Sequence, residues 1–536
     1  MQNKNETLWT AAFLNERFTA IVSPLGWSFV GALFEQLALR DPLRYMGLPD
    51  ADTIPATRLW HGHPYANVEI FQIFYKPFPS AFVPADAVRY FPNGDLTYRQ
   101  RAPYPRSIFQ PRFLLSLAYH LARAPLVASP WNYLAWRRFI PQHDARVALL
   151  KNELDAATNA QQVLRVIAWA YQLDAQFLRI HRWSLTYADL FYKLLTRWLG
   201  ADAQQWISNV PNKTRQVNAE LAALAQRSSP LSAELLQRIR AHEPLNQAER
   251  RTADALEIFL RRHGHRAFSL DIAQPTFRDD PTQLLGLLNA SAQTDPMPPD
   301  FARLRAWQRP FVSFARHYAQ LREDQRYYWH KSLAVTRSAY LTLGRDLAAR
   351  KIIANADEIF YATRAEIAAY YGMELEPEEL NVIISARMQE WKTYAEMDRT
   401  RGADAYPLFL HGDLPLQERA QSESQESEWR GRGVSAGVAR GAVRVVHSPR
   451  ELANVNAGEI LVAPSTDPAW TPVFARLAGL VLERGGVLSH GAVVAREYHL
   501  PAVVGIADAT RLLREGEQIE IDGASGWVRR VAESNS

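Results

Sequence analysis

Between about residue 110 and residue 410, apolar side chains recur at spacings of three and four with long charged side chains between them, a period that predicts helices. The stretches ALLKNELDAATNAQQVLRVIAWAYQLDAQFLRI and RSAYLTLGRDLAARKII carry it most clearly. Residues 1–110 lack this period. They are rich in aromatic residues and Pro, as in FQIFYKPFPSAFVP, and predict loops and short elements laid against a helical body. A polar stretch follows at Gln417–Glu428, containing ERAQSESQESE; it has no apolar periodicity to bury and predicts an exposed linker. Beyond it, short β-type runs appear at regular spacing: Ala442–Val446, Glu459–Ala463, Gly479–Leu482, Ala502–Val504 and Gln518–Ile521. The helix-compatible segments Pro472–Leu477 and Gly491–Tyr498 interrupt them. The expected fold is multidomain, with a large mainly α-helical domain at 1–412, of which 1–110 is an aromatic-rich leading part. A flexible linker at 413–430 and a small α/β domain at 431–536 follow.

Composition narrows the chemistry. The 61 Lys+Arg against 56 Asp+Glu leave a net charge of +5, spread along the whole chain, which makes no case for nucleic acid. The absence of cysteine removes disulfides, thiolate zinc sites, iron–sulfur clusters and cysteine nucleophiles together. No basic leader with an apolar stretch opens the sequence, and no run reaches the roughly 18 apolar residues that span a bilayer. A cytoplasmic protein with no membrane partner is the expectation.

The segment Glu483–Gly505, ERGGVLSHGAVVAREYHLPAVVG, is chemically the most informative. Gly485 and Gly486 follow an expected strand and let backbone approach a charged group, and Ser489 offers an N-cap for the next helix. His490 then sits at a helix N-terminus, where free N–H groups and the helix dipole favour an anion. A phosphoryl group carried on its imidazole would be stabilised there. An isolated His after a Gly pair is more often a turn or capping residue.

The wider pattern separates the two readings. The tail resembles the swivelling phosphohistidine domain of the PEP-utilising enzymes, shared by phosphoenolpyruvate synthase, pyruvate phosphate dikinase and rifampicin phosphotransferase. Its signature reads approximately T-x-x-G-G-x-x-S-H-x-A-I-V-A-R-E-x-x-I-P-A-V-V-G. Gly485, Gly486, Ser489, His490, Ala492, Arg496, Glu497 and Pro501–Gly505 fall on it in register, whereas Gly491 stands in place of the usual Ala and Arg484 precedes the Gly pair. Around it, Gly431–Val446 resembles the domain opening, and Thr466, Asp467, Pro468, Trp470 and Pro472 match a T-D-P-x-W-x-P element. Asp522–Val528 fits the close of the domain. The resemblance implies that His490 is the phosphorylated residue, supported by Gly485, Gly486, Ser489, Arg496 and Glu497.

Elsewhere the rifampicin phosphotransferase group is the nearer likeness. Glu257–Pro281 resembles its Gly-His-Arg block, with Gly264, His265, Arg266, Asp271 and Pro275 in place and Phe277 where Trp is usual. The segment from Leu321 to Ile367 resembles its following helices, and TLWTAAFLNERFTAIVSPLGWSF the opening of its acceptor domain. Arg261, Arg262, His263, His265 and Arg266 place five cationic or switchable groups in six residues. Such a cluster is either a clamp for phosphoryl oxygens, with His265 and Arg266 the candidates, or the solvated basic end of a helix. Arg322, Glu323 and Arg326 carry the same alternatives, and the structural one is favoured for them. His61 and His63 lack further ligands, and no metal site is expected. Trp9, Trp27, Trp60, Tyr65 and Phe71 either line a pocket for a flat acceptor or, more often for such residues, form core.

Members of this family take phosphate from ATP through an ATP-grasp domain or exchange it with phosphoenolpyruvate in a C-terminal barrel, and neither is recognisable here. No Gly-rich phosphate loop of the G-x-x-x-x-G-K-[ST] or G-x-G-x-x-G form occurs. The resemblance implies a split phosphotransferase, organised like phenylphosphate synthase. A separate ATP-grasp subunit, with its Mg2+ and ATP, would phosphorylate His490, and the swivelling domain would pass the group to a small hydroxyl-bearing acceptor on the helical domain. The alternatives are a non-catalytic phosphohistidine signalling or docking module, and a stand-alone phosphotransferase using a small phosphoryl donor.

Overall fold

A computed structural model of the chain describes residues 7–15, 17–18, 20–47, 52–77, 83, 85–101, 111–123, 126–200, 206–207, 210–226, 230–288, 301–401, 406–416, 428–447, 449–466, 470–486, 489–506 and 508–531. It divides into two compact units: Met1–Asp189, Ser269–Gln274 and Tyr328–Ala420 in one, and Leu190–Phe268, Pro275–Tyr327 and Gln421–Ser536 in the other. The expected helical body is therefore divided. Part of it is compact with the C-terminal α/β region, and the long helices Ala160–Leu199 and Gln308–Ala349 each contribute residues to both units.

The first unit combines helices with a five-stranded antiparallel sheet. Its strands are β1 (Leu8–Thr10), β2 (Thr57–Trp60), β3 (His63–Asn67), β4 (Phe409–His411) and β5 (Leu414–Pro415), in the order β2-β3-β1-β4-β5. β1 pairs with β4 through Trp9 and Leu410, so the first and last segments of this unit share one sheet. β5 falls in the expected 413–430 linker. The leading aromatics are mainly core: Trp9, Tyr65 and Phe71 are buried, and Phe71 stacks on Tyr90 at 4.3 Å. Burying such rings is worth about 2–3 kcal/mol each, which explains why short elements suffice to hold this region. The Asp271 carboxylate accepts the Ser23 N–H at 2.8 Å and the Ser23 hydroxyl at 2.7 Å, while Ser23 itself caps Pro24–Gly26.

The second unit holds the capped helices Lys213–Ala225, Ala233–Arg240 and Gln247–His263, the last opened by a reciprocal Asn246–Glu249 capping box. It also holds an eight-stranded mixed sheet: β6 (Glu428–Arg430), β7 (Arg432–Ser435), β8 (Val438–Val445), β9 (Ile460–Ala463), β10 (Gly479–Leu482), β11 (Ala502–Val504), β12 (Gln518–Asp522) and β13 (Trp527–Arg530). The order is β6-β13-β12-β8-β9-β10-β11-β7, with β8 to β11 parallel. β9 and β10 are buried along their whole length, the environment in which parallel strands read as unbroken apolar runs. β10 and β11 have the expected bounds, and the helices begin at Thr471 and His490, one residue before the expected starts. β6, at the far end of the expected linker, pairs with β13 through Trp429 and Val528. Residues 417–427, the middle of that linker, lie outside the described residues.

Candidate functional site

Backbone chemistry places His490. After β10 the chain turns at Gly485, whose φ of +135° is one that residues with a side chain rarely adopt. A Cβ there would also stand 2.9 Å from the Ser489 hydroxyl. Ser489 is extended (φ −63°, ψ 157°), its hydroxyl donates to the Gly486 carbonyl at 2.8 Å, and the same oxygen accepts the Ala492 N–H at 3.4 Å. His490 is thereby the first residue of the His490–Glu497 helix.

The other face of the ring is set by the neighbouring short helix, Thr471–Phe474. The Thr471 hydroxyl lies 3.3 Å from His490 Nε2, and the Phe474 ring is edge-on at 6.5 Å. His490 Nδ1 faces the Oε2 of Glu323, from the Gln308–Ala349 helix, at 3.6 Å, and both side chains are only 12 % exposed. Burial raises the Glu323 carboxyl pKa, but the attraction of His490, then of Arg322 and Arg266, holds it below the ordinary carboxylate value. No hydrogen bond closes this approach, but an ionised carboxylate on the Nδ1 side favours the ring proton there and the lone pair on Nε2.

Other motif residues have defined tasks. Arg496 donates to the Val434 carbonyl of β7 at 2.9 Å, tying the helix to the sheet. Glu497 is pushed up to about 7 by burial and by the Glu323 charge, against Arg215 and Arg496. At Gly491 a Cβ would lie 2.6 Å from the Thr466 hydroxyl and 2.7 Å from a Leu482 methyl, so the usual Ala would require both to move. Asp467 and Pro468 of the T-D-P-x-W-x-P element lie outside the described residues. Trp470 is buried beside Thr471.

The basic cluster separates. Arg262 is 61 % exposed and pairs with Glu220 at 3.4 Å, the solvated helix end. His263 is buried, with Nδ1 3.0 Å from the Tyr327 hydroxyl. His265 packs edge-on against Tyr327 at 4.6 Å. Arg266 is buried and its charge reaches Glu323. Asp271, from the same Gly-His-Arg block, bonds Ser23 in the first unit. Glu323, for which a structural role was the favoured expectation, lies with its carboxylate facing His490; the sequence sign for it is a carboxylate between two Arg in LREDQR. His63 Nε2 lies 2.9 Å from Asp398, and His61 stacks on Trp60. Among the described residues no three His, Asp or Glu gather as a metal site, and no helix is long and apolar enough to cross a membrane.

Residues 455–526 match the family described as PEP-utilising enzyme, mobile domain, which contains His490. Residues 176–339 match the rifampicin phosphotransferase fourth domain, which contains Glu323 and Arg266. A rifampicin phosphotransferase of Streptomyces sp is 30 % identical over 307 residues, 52 % of this chain and 34 % of that protein. Another, from Bacillus subtilis (strain 168), is 27 % identical over 375 residues, 62 % of this chain and 42 % of its own. Chondramide synthase cmdD of Chondromyces crocatus is 28 % identical over 445 residues, 73 % of this chain but 11 % of that one. The matches thus span less than half the length of each of these relatives. The chain carries the mobile domain of the PEP-utilising enzymes at residues 455–526, preceded at residues 176–339 by a stretch similar to the fourth domain of rifampicin phosphotransferase.

Proposed function

We propose that the chain is the phosphohistidine-carrying component of a phosphotransferase. His490 takes a phosphoryl group on Nε2 and delivers it to a small hydroxyl-bearing acceptor held by the helical part of the chain. The observation that carries this reading is the ring's setting: a helix N-terminal position, with Nδ1 directed at Glu323 and Nε2 left to the weak hydrogen-bonding partner Thr471. A lone pair at Nε2 is what an attack on phosphorus needs. Arg266 and Arg322 both act on Glu323 and favour its ionised form, which suits a proton on Nδ1.

In this reading the donor is ATP with Mg2+, presented by a separate ATP-grasp subunit. The carrier then works in two in-line steps. Nε2 attacks phosphorus as the ATP phosphoanhydride bond breaks; later the acceptor oxygen attacks as the P–Nε2 bond breaks.

The test mixes the purified chain with labelled ATP, Mg2+ and an ATP-grasp protein encoded nearby, then chases with candidate hydroxyl compounds. Acid-labile, alkali-stable label that passes to a small molecule supports the proposal. Label that stays on the protein supports a signalling module, and no label at all refutes the carrier.

A further inference from the structure

The net charge is small, but within the first unit its signs are segregated. No Asp or Glu stands between Asp95 and Asp144, a stretch that holds seven Arg. No Lys or Arg stands between Arg364 and Arg387, a stretch that holds Glu366, Glu374, Glu376, Glu378 and Glu379. Each stretch also exposes neighbouring apolar side chains, which a solvated surface seldom gathers. The helix Pro111–Arg123 packs inward through Phe113, Ser116 and His120. Phe113 is buried, the Ser116 hydroxyl donates to the Arg44 carbonyl at 3.3 Å, and the His120 ring lies 4.1 Å from that of Tyr45. Another side of the helix carries Leu114, Leu115, Ala118, Tyr119 and Ala122, all exposed, at the spacings of one and four that make a single stripe. Leu115 is 71 % exposed and Tyr119 54 %.

We propose that this stripe is a docking surface for a second copy of the chain, which presents to it the acidic turn between the helices Arg364–Tyr371 and Pro377–Arg401. Met373, at that turn, is 92 % exposed. Val382, one turn after Glu378 on the second helix, is 66 % exposed. Glu374, Glu376, Glu378 and Glu379, beside them in sequence, are exposed as well. The basic charges flank the stripe: Arg112 and Arg123 stand at its two ends, with the Arg123 guanidinium over the Tyr119 ring at 5.3 Å from its centre. Among the described residues neither of these Arg is ion-paired, nor are the four Glu.

Charge and shape choose this occupant. Two copies of the stripe oppose one another, because an antiparallel pairing sets Arg112 of one against Arg123 of the other and no carboxylate on the helix offsets them. A lipid surface fits less well. From Leu114 to Ala122 the stripe runs eight residue steps, about 12 Å at 1.5 Å per residue. The small side chains of Ala118 and Ala122, one turn apart, lower the helix surface beside Tyr119, a shape that takes a protruding side chain and not a flat layer. Met373 is such a side chain, and its flexible thioether is attracted to the edge of a ring such as Tyr119. The helix dipole accounts for Glu378 and Glu379, in the first turn of Pro377–Arg401, but not for Glu374, Glu376 or an exposed methionine. Because unlike faces meet, the contact is head-to-tail, or a reciprocal pair where both faces of each copy engage.

Sedimentation of the full chain over about a hundredfold range of concentration, at low and at high salt, tests it. The wild type sediments above its monomer mass as concentration rises, and more so at low salt. The paired variants R112E/R123E and E374R/E378R each associate at least about tenfold more weakly alone, because each then sets like charges against one another. Mixed together they recover the wild-type association, since every contact again joins opposite charges, and that recovery also shows both variants to be folded. Met373→Asp weakens association by a similar factor. A wild type that stays monomeric throughout, paired variants that associate as the wild type does, or a mixture that stays monomeric overturns the proposal. A monomer that instead binds vesicles of phosphatidylserine and phosphatidylcholine, and loses that binding in R112E/R123E, overturns it in favour of a lipid surface.

Discussion

The Ser489 hydroxyl donates to the carbonyl of Gly486 at 2.8 Å, closing the turn that delivers His490 to the start of its helix. The same oxygen accepts the Ala492 N–H, so one atom serves both the turn and the cap. Ser489→Ala removes both bonds and is expected to lower stability by about 1–2 kcal/mol, read by chemical denaturation. Gly485→Ala adds a strained φ and a 2.9 Å clash with that hydroxyl, and is expected to cost about 1–3 kcal/mol. Both variants should take up phosphate on His490 more slowly than the wild type; uptake at the wild-type rate would show that the turn does not position the ring.

Glu497 links the site to pH. Folding raises its carboxyl from an ordinary 4.5 to about 7, by burial first and then by the Glu323 charge. Its contribution to stability is therefore complete below pH 4.5 and is lost as pH rises through 7. Glu497→Gln should remove that part of the pH dependence and, near pH 8, stabilise the protein relative to wild type by on the order of 2 kcal/mol. Parallel stability curves for the two proteins from pH 5 to 8 would contradict this.

Ser23 and Asp271 test a different link. The carboxylate is buried, and burial pushes its pKa up against the bonds from Ser23 and Ala273. Ser23→Ala removes one charge-assisted hydroxyl bond and the cap of Pro24–Gly26, and is expected to cost about 2 kcal/mol in thermal or chemical unfolding. A change below about 0.5 kcal/mol would mean that the bond is not formed in solution.

The proposed cycle also requires reach. Deleting half of residues 417–427 should slow transfer to the acceptor while leaving the unfolding midpoint unchanged. Unaltered turnover in that deletion would argue against movement of the α/β region.

Much of this was legible in sequence because local chemistry decided it. The Gly pair, Ser489 and His490 occupy the turn, cap and first helical position that their residue types favour, and the apolar runs of β10 and β11 gave their bounds correctly. β6 and β13 could not be read from the sequence because their pairing rests on Trp429 and Val528, about a hundred positions apart, Trp429 lying between two charged residues and Val528 before two arginines. β5 and β6, of two and three residues, were hidden in the segment 413–430 expected to be linker because runs so short show no period, although β5 pairs locally with β4. Glu323 was invisible in a different way. Its neighbours Arg322 and Arg326 make it look like one more solvated helix charge, and only folding brings it to His490. Likewise, Arg262 and Arg266 are four residues apart in one basic run, yet one is 61 % exposed and the other buried.

The central claim is that His490 carries the phosphoryl group, and peptide mapping under alkaline conditions tests it most directly. The chain is incubated with ATP, Mg2+ and the ATP-grasp partner, digested, and its peptides weighed. One phosphoryl group on the peptide containing His490, absent from His490→Ala, is the predicted result; phosphate on another residue, or undiminished phosphate in His490→Ala, would contradict it.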